Sequence, residues 1–429
     1  MTVRISKQEI SAVYKSALAR KLVNDEDTAV IFYDLTFLKE RINKLISSFP
    51  QSALHASAIK ANPLLSILKF INDMNVGVEA ASLPELYLSE KAGFPSSKVV
   101  FDSPAKTISE LRYAVEKGYY INADSLEELE LIDDMLKKTN TNVKAGIRIN
   151  PQVGTGSIAI TSVAGEYSKF GVPVKYKRNE IIEAYKKYNW LTGIHLHIGS
   201  QGISLDMLLK GIGIIYELAE EINNGIAKTN TRNKISYFDI GGGLPVQYNN
   251  NAEPVLINDY ADKIKTAFPK LFNGDYNLIT EFGRYIHANS GWTVSRIEYV
   301  KKDKNINTAV IHLGADMFLR KSYNPELWYH EITVIDKNGN LKPDTKKESY
   351  NIAGPLCFAG DFIEKNISLP ELSKGDNIII HDTGAYTLSM WSRYNSRQMP
   401  KVIGYYNKGE EFVILKQREK PENLIEFWG

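Results

Sequence analysis

The chain has 429 residues with nearly balanced charge: 43% are hydrophobic, 24% are charged, and the formal net charge is +2. This balance gives no support for a nucleic-acid or acidic-membrane partner, and no run of about eighteen apolar residues predicts a membrane span. The single cysteine, Cys357, excludes an internal disulfide, and the stretch MTVRISKQEISAVYKSAL lacks the apolar core of a signal peptide, so we expect a soluble, cytoplasmic protein.

Short apolar runs alternate with helical patterns from residue 53 to residue 284. The helices begin at recognisable caps, since Ser82, Thr107 and Ser125 each open a capping-box pattern. Eight strand–helix units at this spacing predict an α/β fold, a (β/α)8 TIM barrel, and an open doubly wound sheet is the less suitable alternative. The predicted strands cover residues 53–59, 76–81, 98–101, 119–122, 143–149, 191–198, 235–240 and 276–282.

The pattern changes near residue 286, where alternating strands joined by turns replace the strand–helix units. Stretches such as WTVSRIEYVKK and YHEITVIDKNGNLK predict an all-β domain. The first thirty or so residues, which end in TAVIFYD, are expected to add a helix and a strand to it. We therefore predict a cofactor-binding barrel over residues 35–285 and a β-domain made of residues 1–34 and 286–429.

Residues that can carry chemistry follow several of the predicted barrel strands, at the end where such barrels hold their active sites. In chain order they are Lys60, His195, His197, the glycine turn Gly241–Gly243, Glu281 and Arg284. Taken singly, each has a structural interpretation, such as a lysine reaching solvent or a simple tight turn. Two histidines at a spacing of two could bind a metal, but no third ligand stands at a matching spacing, so we predict no metal site.

Together these residues match the needs of one cofactor. The glycine turn, Ser200 and Arg284 offer donors for a phosphate, while Lys60 offers an amine. His197 offers a flat ring for stacking, and Glu281 offers a carboxylate. Pyridoxal 5′-phosphate requires this set: a Schiff-base lysine, an acidic partner for its pyridine nitrogen and a phosphate site.

From about residue 30 to residue 405 the chain resembles the pyridoxal-phosphate decarboxylases of the alanine-racemase-like fold, and is most similar to diaminopimelate decarboxylase. The resemblance lies in motifs that occur in the family's order and spacing: AIKANP, EAASLPEL, IRINP, SKFGVP, HLHIGSQ, DIGGGLP, EFGRY, GPLCFAGD and DTGAYTLSMWSRYNSRQMP.

The resemblance implies a role for each matching residue. It makes Lys60 the Schiff-base lysine, His197 the ring that packs against the cofactor, and Glu281 the partner of the pyridinium nitrogen. The cofactor's phosphate and its surroundings would be held by Ser200, Gly241, Gly242, Gly243, Gly283, Arg284 and Tyr386. Family members are homodimers with shared active sites, so Cys357 would protonate the substrate α-carbon across the subunit interface, as a thiol can at neutral pH.

The substrate-binding positions depart from the family pattern. Phe358 stands where diaminopimelate decarboxylases have a glutamate that binds the distal amino group, and Asp361 is a candidate substitute. Arg320 and Tyr323 are candidates for the substrate carboxylate, but the tyrosine falls one residue early. Arg284 and Tyr386 are expected to touch substrate as well as cofactor.

We therefore expect an α-decarboxylase (a carboxy-lyase) acting on a non-standard amino acid without a distal ammonium, such as one from a siderophore or secondary-metabolite pathway. The alternative is a true meso-diaminopimelate decarboxylase that produces L-lysine. A racemase on the same fold would need a second base facing Lys60, and a non-catalytic regulator would be expected to lose the lysine or the phosphate site.

Overall fold

A computed structural model describes residues 4–139, 143–228, 234–249 and 253–429. The chain forms two compact units, one of residues 41–246 and 255–285 and the other of residues 1–40, 247–254 and 286–429. Within the described residues no helix is long and apolar enough to cross a membrane.

The helices, in chain order, are α1 (Lys7–Ala19), α2 (Leu35–Ser48), α3 (Leu65–Asp73), α4 (Leu83–Ala92), α5 (Ile108–Lys117), α6 (Leu126–Thr139), α7 (Val174–Lys187), α8 (Leu205–Lys228), α9 (Ile257–Ala267), α10 (Arg284–His287), α11 (Leu319–Tyr323) and α12 (Pro421–Trp428). The strands are β1 (Ala29–Asp34), β2 (Leu54–Ala58), β3 (Gly77–Ala80), β4 (Val99–Asp102), β5 (Tyr120–Ala123), β6 (Ala145–Asn150), β7 (Val172–Pro173), β8 (Leu191–His195), β9 (Tyr237–Asp239), β10 (Asn277–Thr280), β11 (Gly291–Lys301), β12 (Asn307–Ile311), β13 (Ile332–Ile335), β14 (Lys347–Ala353), β15 (Phe362–Pro370), β16 (Asn377–Ile380), β17 (Lys401–Tyr406) and β18 (Glu411–Lys416).

The first unit is a closed parallel barrel. Its strands pair in the order β2-β3-β4-β5-β6-β8-β9-β10, and β10 pairs with β2 to close the ring. All eight predicted runs are strands of this barrel, so the barrel prediction is confirmed and the open-sheet alternative is wrong. Because every strand points the same way, all strand carboxyl ends lie at one rim.

Local capping fixes how the chain leaves these strands. The Thr107 hydroxyl accepts from the Glu110 amide while the Glu110 carboxylate accepts from the Thr107 amide, a complete capping box at the start of α5. At α4 and α6 the pattern shifts by one residue, because Glu85 and Glu128 accept from the amide that precedes the cap residue.

The second unit is built on a mostly antiparallel sheet of nine strands, consistent with the predicted all-β character. The N-terminal strand β1 lies inside this sheet, antiparallel to β11 and parallel to β17. Phe32 of β1 stacks on Trp292 of β11 with ring centroids 4.2 Å apart, and both side chains are buried. The expectation that the N-terminal segment completes the β-domain is therefore confirmed.

Candidate active site

Lys60 follows β2 at the barrel rim, in a single 3-10 turn of residues Ile59–Ala61. Its Nζ lies 2.6 Å and 2.8 Å from the two carboxylate oxygens of Glu79 on the neighbouring strand β3. The Lys60 side chain is 45% exposed, whereas Glu79 is fully buried. Burial raises the pKa of Glu79 to about 8 although Lys60 opposes the shift. The site therefore presents a reachable amine anchored by one buried acid.

The glycine turn after β9 is required by close packing. Gly241 and Gly243 have φ of +63° and +100°, and a Cβ at any of the three positions would collide with a backbone carbonyl. The Gly241 amide donates to Asp239 at 2.9 Å and the Gly242 amide donates to His197 Nδ1 at 3.1 Å. Two of the three amides are thus engaged inside the chain, which the expectation of a purely anion-binding turn did not foresee.

His197 is a neutral ring at this rim. Burial among protein atoms, with Arg148 and Lys60 nearby, lowers its pKa to about 3. Its Nδ1 accepts the Gly242 amide, which leaves any ring proton on Nε2. A neutral, oriented imidazole is suited to stack on a planar ligand.

Arg284 and Glu281 follow β10 at the same rim, with Gly283 between them. Arg284 is buried, and its Nε donates to Ser200 Oγ at 3.1 Å. The Glu281 amide donates to the Gly241 carbonyl at 2.8 Å, which ties this strand end to the glycine turn. The structure thus places the predicted cofactor residues of the barrel at the carboxyl ends of neighbouring strands.

Below this rim lies a charged layer that the sequence analysis missed. His195 Nε2 is 3.3 Å from Glu281, its Nδ1 is 3.9 Å from Asp102, and Arg148 donates to Asp102 at 2.8 Å. The side chains of His195, Asp102 and Glu281 approach one another closely enough to surround a small ion, but His197, the other histidine of the pair considered from the sequence, is not in this group. The guanidinium of Arg148 already neutralises Asp102, which disfavours a cation there. A charged residue inside an apolar strand, such as Glu79 in VGVEAA or Arg148 in VKAGIRI, was the available signal.

The buried acids of this layer have pKa values shifted in opposite directions. Burial alone would lower the pKa of His195, but the carboxylates of Glu281, Asp239 and Asp102 raise it to about 9. Burial raises the pKa of Glu281, but His195 and, to a smaller extent, Lys60 lower it, so the net shift is downward. Burial, with Glu281 nearby, holds the pKa of Asp239 well above its usual range. Of the two acids beside His195 at the ends of β9 and β10, Glu281 is therefore ionised and Asp239 neutral.

The cysteine loop, residues 353–361, belongs to the β-domain unit. Cys357 is exposed, its amide donates to Asn395 Oδ1 at 2.7 Å, and its carbonyl accepts from the Tyr394 hydroxyl at 3.1 Å. Asp361 is buried and accepts from the amides of Ala315 and Leu356, both at 2.6 Å. Its carboxylate closes the loop, which argues against the expectation that Asp361 binds a distal amine.

Phe358 lies in an aromatic cluster of the same unit. Its ring stacks on Tyr323 with centroids 5.9 Å apart and meets Tyr394 edge-on at 6.4 Å. Tyr323 is 65% exposed and Tyr394 is 48% exposed. The cluster therefore presents aromatic surface beside the exposed cysteine.

Arg320 and Tyr386 also lie together in this unit. The Arg320 guanidinium sits over the rings of Tyr386 and Trp328, 4.8 Å from each centroid. Tyr386 has a φ of +56°, a left-handed conformation that costs a tyrosine roughly 1–2 kcal/mol and that often marks a functional position. Arg320 therefore stands among aromatic rings, while Tyr323 is the ring that stacks on Phe358.

Comparison with known proteins agrees with this geometry. The family described as pyridoxal-dependent decarboxylase, pyridoxal binding domain, matches residues 35–288. Diaminopimelate decarboxylase from Campylobacter jejuni is 31% identical over 411 residues, which cover 95% of this chain and 97% of that protein. The corresponding enzyme from Aquifex aeolicus is 28% identical over 410 residues, with coverage of 95% and 93%. A crystal structure of diaminopimelate decarboxylase from Helicobacter pylori complexed with L-lysine has a TM-score of 0.83 at 29% identity, and covers 96% of this chain and 99% of that chain.

The barrel rim fits the cofactor of that family. Lys60 supplies a reachable amine, Glu281 a buried ionised carboxylate and His197 a neutral flat ring. Ser200 and Arg284 lie together where a phosphate needs donors. Pyridoxal phosphate is the cofactor for which these groups are arranged.

Proposed function

The chain belongs to the pyridoxal-dependent decarboxylases, and on that premise we propose that it removes the α-carboxyl group of meso-diaminopimelate to give L-lysine. The observation that carries the proposal is the near-complete match, in both directions, to diaminopimelate decarboxylases. A non-standard substrate, which Phe358 alone suggests, has less support from these relatives.

The barrel residues have distinct tasks in this proposal. Lys60, whose amine is reachable at the rim, would hold the cofactor through its Nζ. Ser200, Arg284 and the glycine turn would hold the phosphate. His197 fixes the plane of the cofactor ring. When bound, the cofactor acts as the electron sink that makes loss of carbon dioxide possible.

Glu281 would strengthen the ability of the bound cofactor to accept electrons. An ionised carboxylate beside the ring nitrogen favours the protonated nitrogen, which accepts electrons better than a neutral one. The downward pKa shift of Glu281 supplies the ionised form at neutral pH. Glu79 holds Lys60 by two short contacts until a ligand arrives.

Cys357 is proposed to return a proton to the substrate α-carbon. We place this step across a homodimer interface, where Cys357 of one copy serves the barrel of the other. The exposed thiol and the exposed rings of Tyr323 and Tyr394 support this, because a second copy would cover them. The single cysteine also fits a reducing, cytoplasmic compartment.

Shared sites can be tested by complementation. Lys60→Ala and Cys357→Ala are each expected to be inactive, and mixing them under conditions that exchange subunits should restore part of the activity. Light scattering on the same samples shows whether dimers form and exchange. If the two variants form dimers and exchange subunits but the mixture stays inactive, the active site is not shared between subunits.

Phe358 supports a second candidate, a substrate whose distal end lacks an ammonium. A buried ammonium that loses its carboxylate partner forfeits about 1.5–3 kcal/mol, or roughly 10- to 150-fold in binding. Phe358→Glu restores an acid at this position, and Phe358→Leu is the matched control that removes only the ring.

The deciding experiment compares kcat/KM for meso-diaminopimelate with values for L-lysine, L-ornithine and L-arginine, in the wild type and both variants. We expect strong preference for meso-diaminopimelate in the wild type, and the proposal requires that this preference does not depend on an acid at position 358. If the wild type is inactive on all four and Phe358→Glu alone gains activity on meso-diaminopimelate, the second candidate replaces the first.

A further inference from the structure

His195 occupies an unusual place in the barrel, because it is a fully buried histidine between two acids. His195 is the last residue of β8, and it pairs with Asp239 on the neighbouring strand β9. Its Nε2 lies 3.3 Å from Glu281 and its Nδ1 lies 3.9 Å from Asp102. Both ring nitrogens therefore face carboxylates, which is the environment of a doubly protonated ring.

Among the charged groups of this layer, His195 has the largest stabilising effect on the charged form of Glu281. The ionisable groups that act on His195 are Glu281, Asp239, Asp102 and His197, and Lys60, Glu79 and Arg148 act on these in turn. Lys60 is paired with Glu79, and Arg148 is paired with Asp102. Asp239 is held by the amides of Asn122 and Gly241 and is neutral. The imidazolium of His195 is the largest stabilising charge beside the ionised Glu281 carboxylate, and Lys60 adds a smaller contribution.

We propose that His195 is a positioning residue that, as an imidazolium, keeps Glu281 ionised and oriented for the ring nitrogen of the cofactor. The inference rests on the proposed role of Glu281. Without the imidazolium, a fully buried Glu281 near Asp102 and Glu79 takes up a proton. A protonated Glu281 no longer stabilises a protonated ring nitrogen, so the electron sink weakens.

The direction of titration agrees with this role. The pKa of His195 is raised from 6.5 to about 9, because its neighbouring carboxylates outweigh the effect of burial. A raised histidine pKa contributes stability below the unfolded value, and the contribution is lost as the pH rises through the folded value. The imidazolium therefore persists through neutral pH.

The protonation state of His195 can be read directly on the wild-type protein without cofactor. Nitrogen-15 NMR of histidine-labelled protein separates imidazolium from neutral imidazole. The chain has seven histidines, and single His→Gln variants of the other six assign the remaining signal without altering His195. An imidazolium signal at neutral pH is expected, and a neutral imidazole would overturn the proposal.

A second measurement uses nitrogen-15 NMR to determine whether the ring nitrogen of bound pyridoxal phosphate is protonated. The labelled cofactor is bound to the wild type and to the variants His55→Gln, Glu281→Gln and His195→Gln. The wild type and the control His55→Gln should show a protonated ring nitrogen. His55 is a matched control because it is also a buried histidine of the barrel. It lies on β2, and its Nδ1 forms a hydrogen bond of 2.9 Å with Thr280 Oγ1. Glu281→Gln and His195→Gln should both show a neutral ring nitrogen, while thermal unfolding reports whether each variant is folded.

The outcomes separate this inference from the proposed function. If Glu281→Gln keeps a protonated ring nitrogen, the role proposed for Glu281 is wrong. If Glu281→Gln gives a neutral nitrogen and a folded His195→Gln gives a protonated one, the role of Glu281 stands and that of His195 is wrong. A His195→Gln protein that does not fold leaves the wild-type histidine spectrum as the deciding result.

Discussion

Gly242→Ala perturbs the point where the glycine turn meets the end of β10. A Cβ at Gly242 would collide with the carbonyl oxygen of Glu281, a backbone atom that cannot rotate away. Either the turn or the Glu281 segment must move. Both are proposed contacts of the cofactor, one at its phosphate and the other at its ring nitrogen.

The size of the effect follows from the kind of collision. Overpacking of this sort costs about 1–3 kcal/mol. The cofactor-free protein can relieve the strain by displacing the turn, whereas the loaded protein needs the turn and Glu281 in register. We therefore expect the cost to fall on binding, and pyridoxal phosphate affinity to drop roughly 5- to 150-fold.

The assay is an absorbance titration of each purified protein with pyridoxal phosphate, together with thermal unfolding. Gly225→Ala is the matched control, because Gly225 lies in α8 and, outside its own helix, no described atom lies within 4 Å of an added Cβ. That change should leave cofactor affinity unaltered and should favour the helix by about 1 kcal/mol. Equal cofactor affinity in the two variants would refute the reasoning about the turn.

Three further predictions concern pH, catalysis and the cysteine loop. Burial lowers the pKa of His55 from 6.5 to about 4, so the unfolded chain takes up the proton first and stability is lost as the pH falls across this interval. His55→Gln should reduce this loss, which is measured as the free energy of unfolding by denaturant at a pH above 6.5 and at a pH between 4 and 6.5. If the variant and the wild type lose the same free energy between these pH values, His55 is not the group responsible. Cys357→Ala should lower kcat by about 10²- to 10⁴-fold while cofactor affinity stays constant, and a fully active variant would exclude the thiol as the acid. Asp361→Ala removes the acceptor of the Ala315 and Leu356 amides and should cost about 1–3 kcal/mol in unfolding free energy; retained stability would mean that the loop closes without it.

The sequence alone was sufficient for the barrel, because hydrophobic runs and helix caps are local signals. All eight strands were predicted, and the cap at Thr107 forms as its sequence pattern indicates. The residues at the strand ends were also accessible, since parallel strands bring their carboxyl ends to one rim whatever the details of packing.

The charged layer beneath that rim was not accessible in the same way. Asp102, Arg148 and His195 come from three different strands, and only closure of the barrel brings them together. Periodicity identifies a buried position, but it does not show which neighbour neutralises a buried charge. The engagement of Asp361 by two backbone amides likewise depends on a loop conformation that sequence pattern does not specify.

The expectation of a non-standard substrate has less support from the comparisons than diaminopimelate has, and the reason is related. It rested on one position, Phe358, read against a family pattern, while the relatives match over nearly the whole chain. In the structure Phe358 is part of an aromatic cluster with Tyr323 and Tyr394, so the position has a packing role in this chain that a comparison of charges alone does not show.

The most direct test of the proposed activity is to incubate the cofactor-loaded protein with meso-diaminopimelate in deuterium oxide and identify the product by mass spectrometry. The account predicts release of carbon dioxide and L-lysine that carries a single carbon-bound deuterium at the former α-carboxyl position. Lys60→Ala should yield neither. Deuterated diaminopimelate without carbon dioxide would mean that the enzyme exchanges the α-proton instead of removing the carboxyl group, and unchanged substrate would mean that diaminopimelate is the wrong substrate.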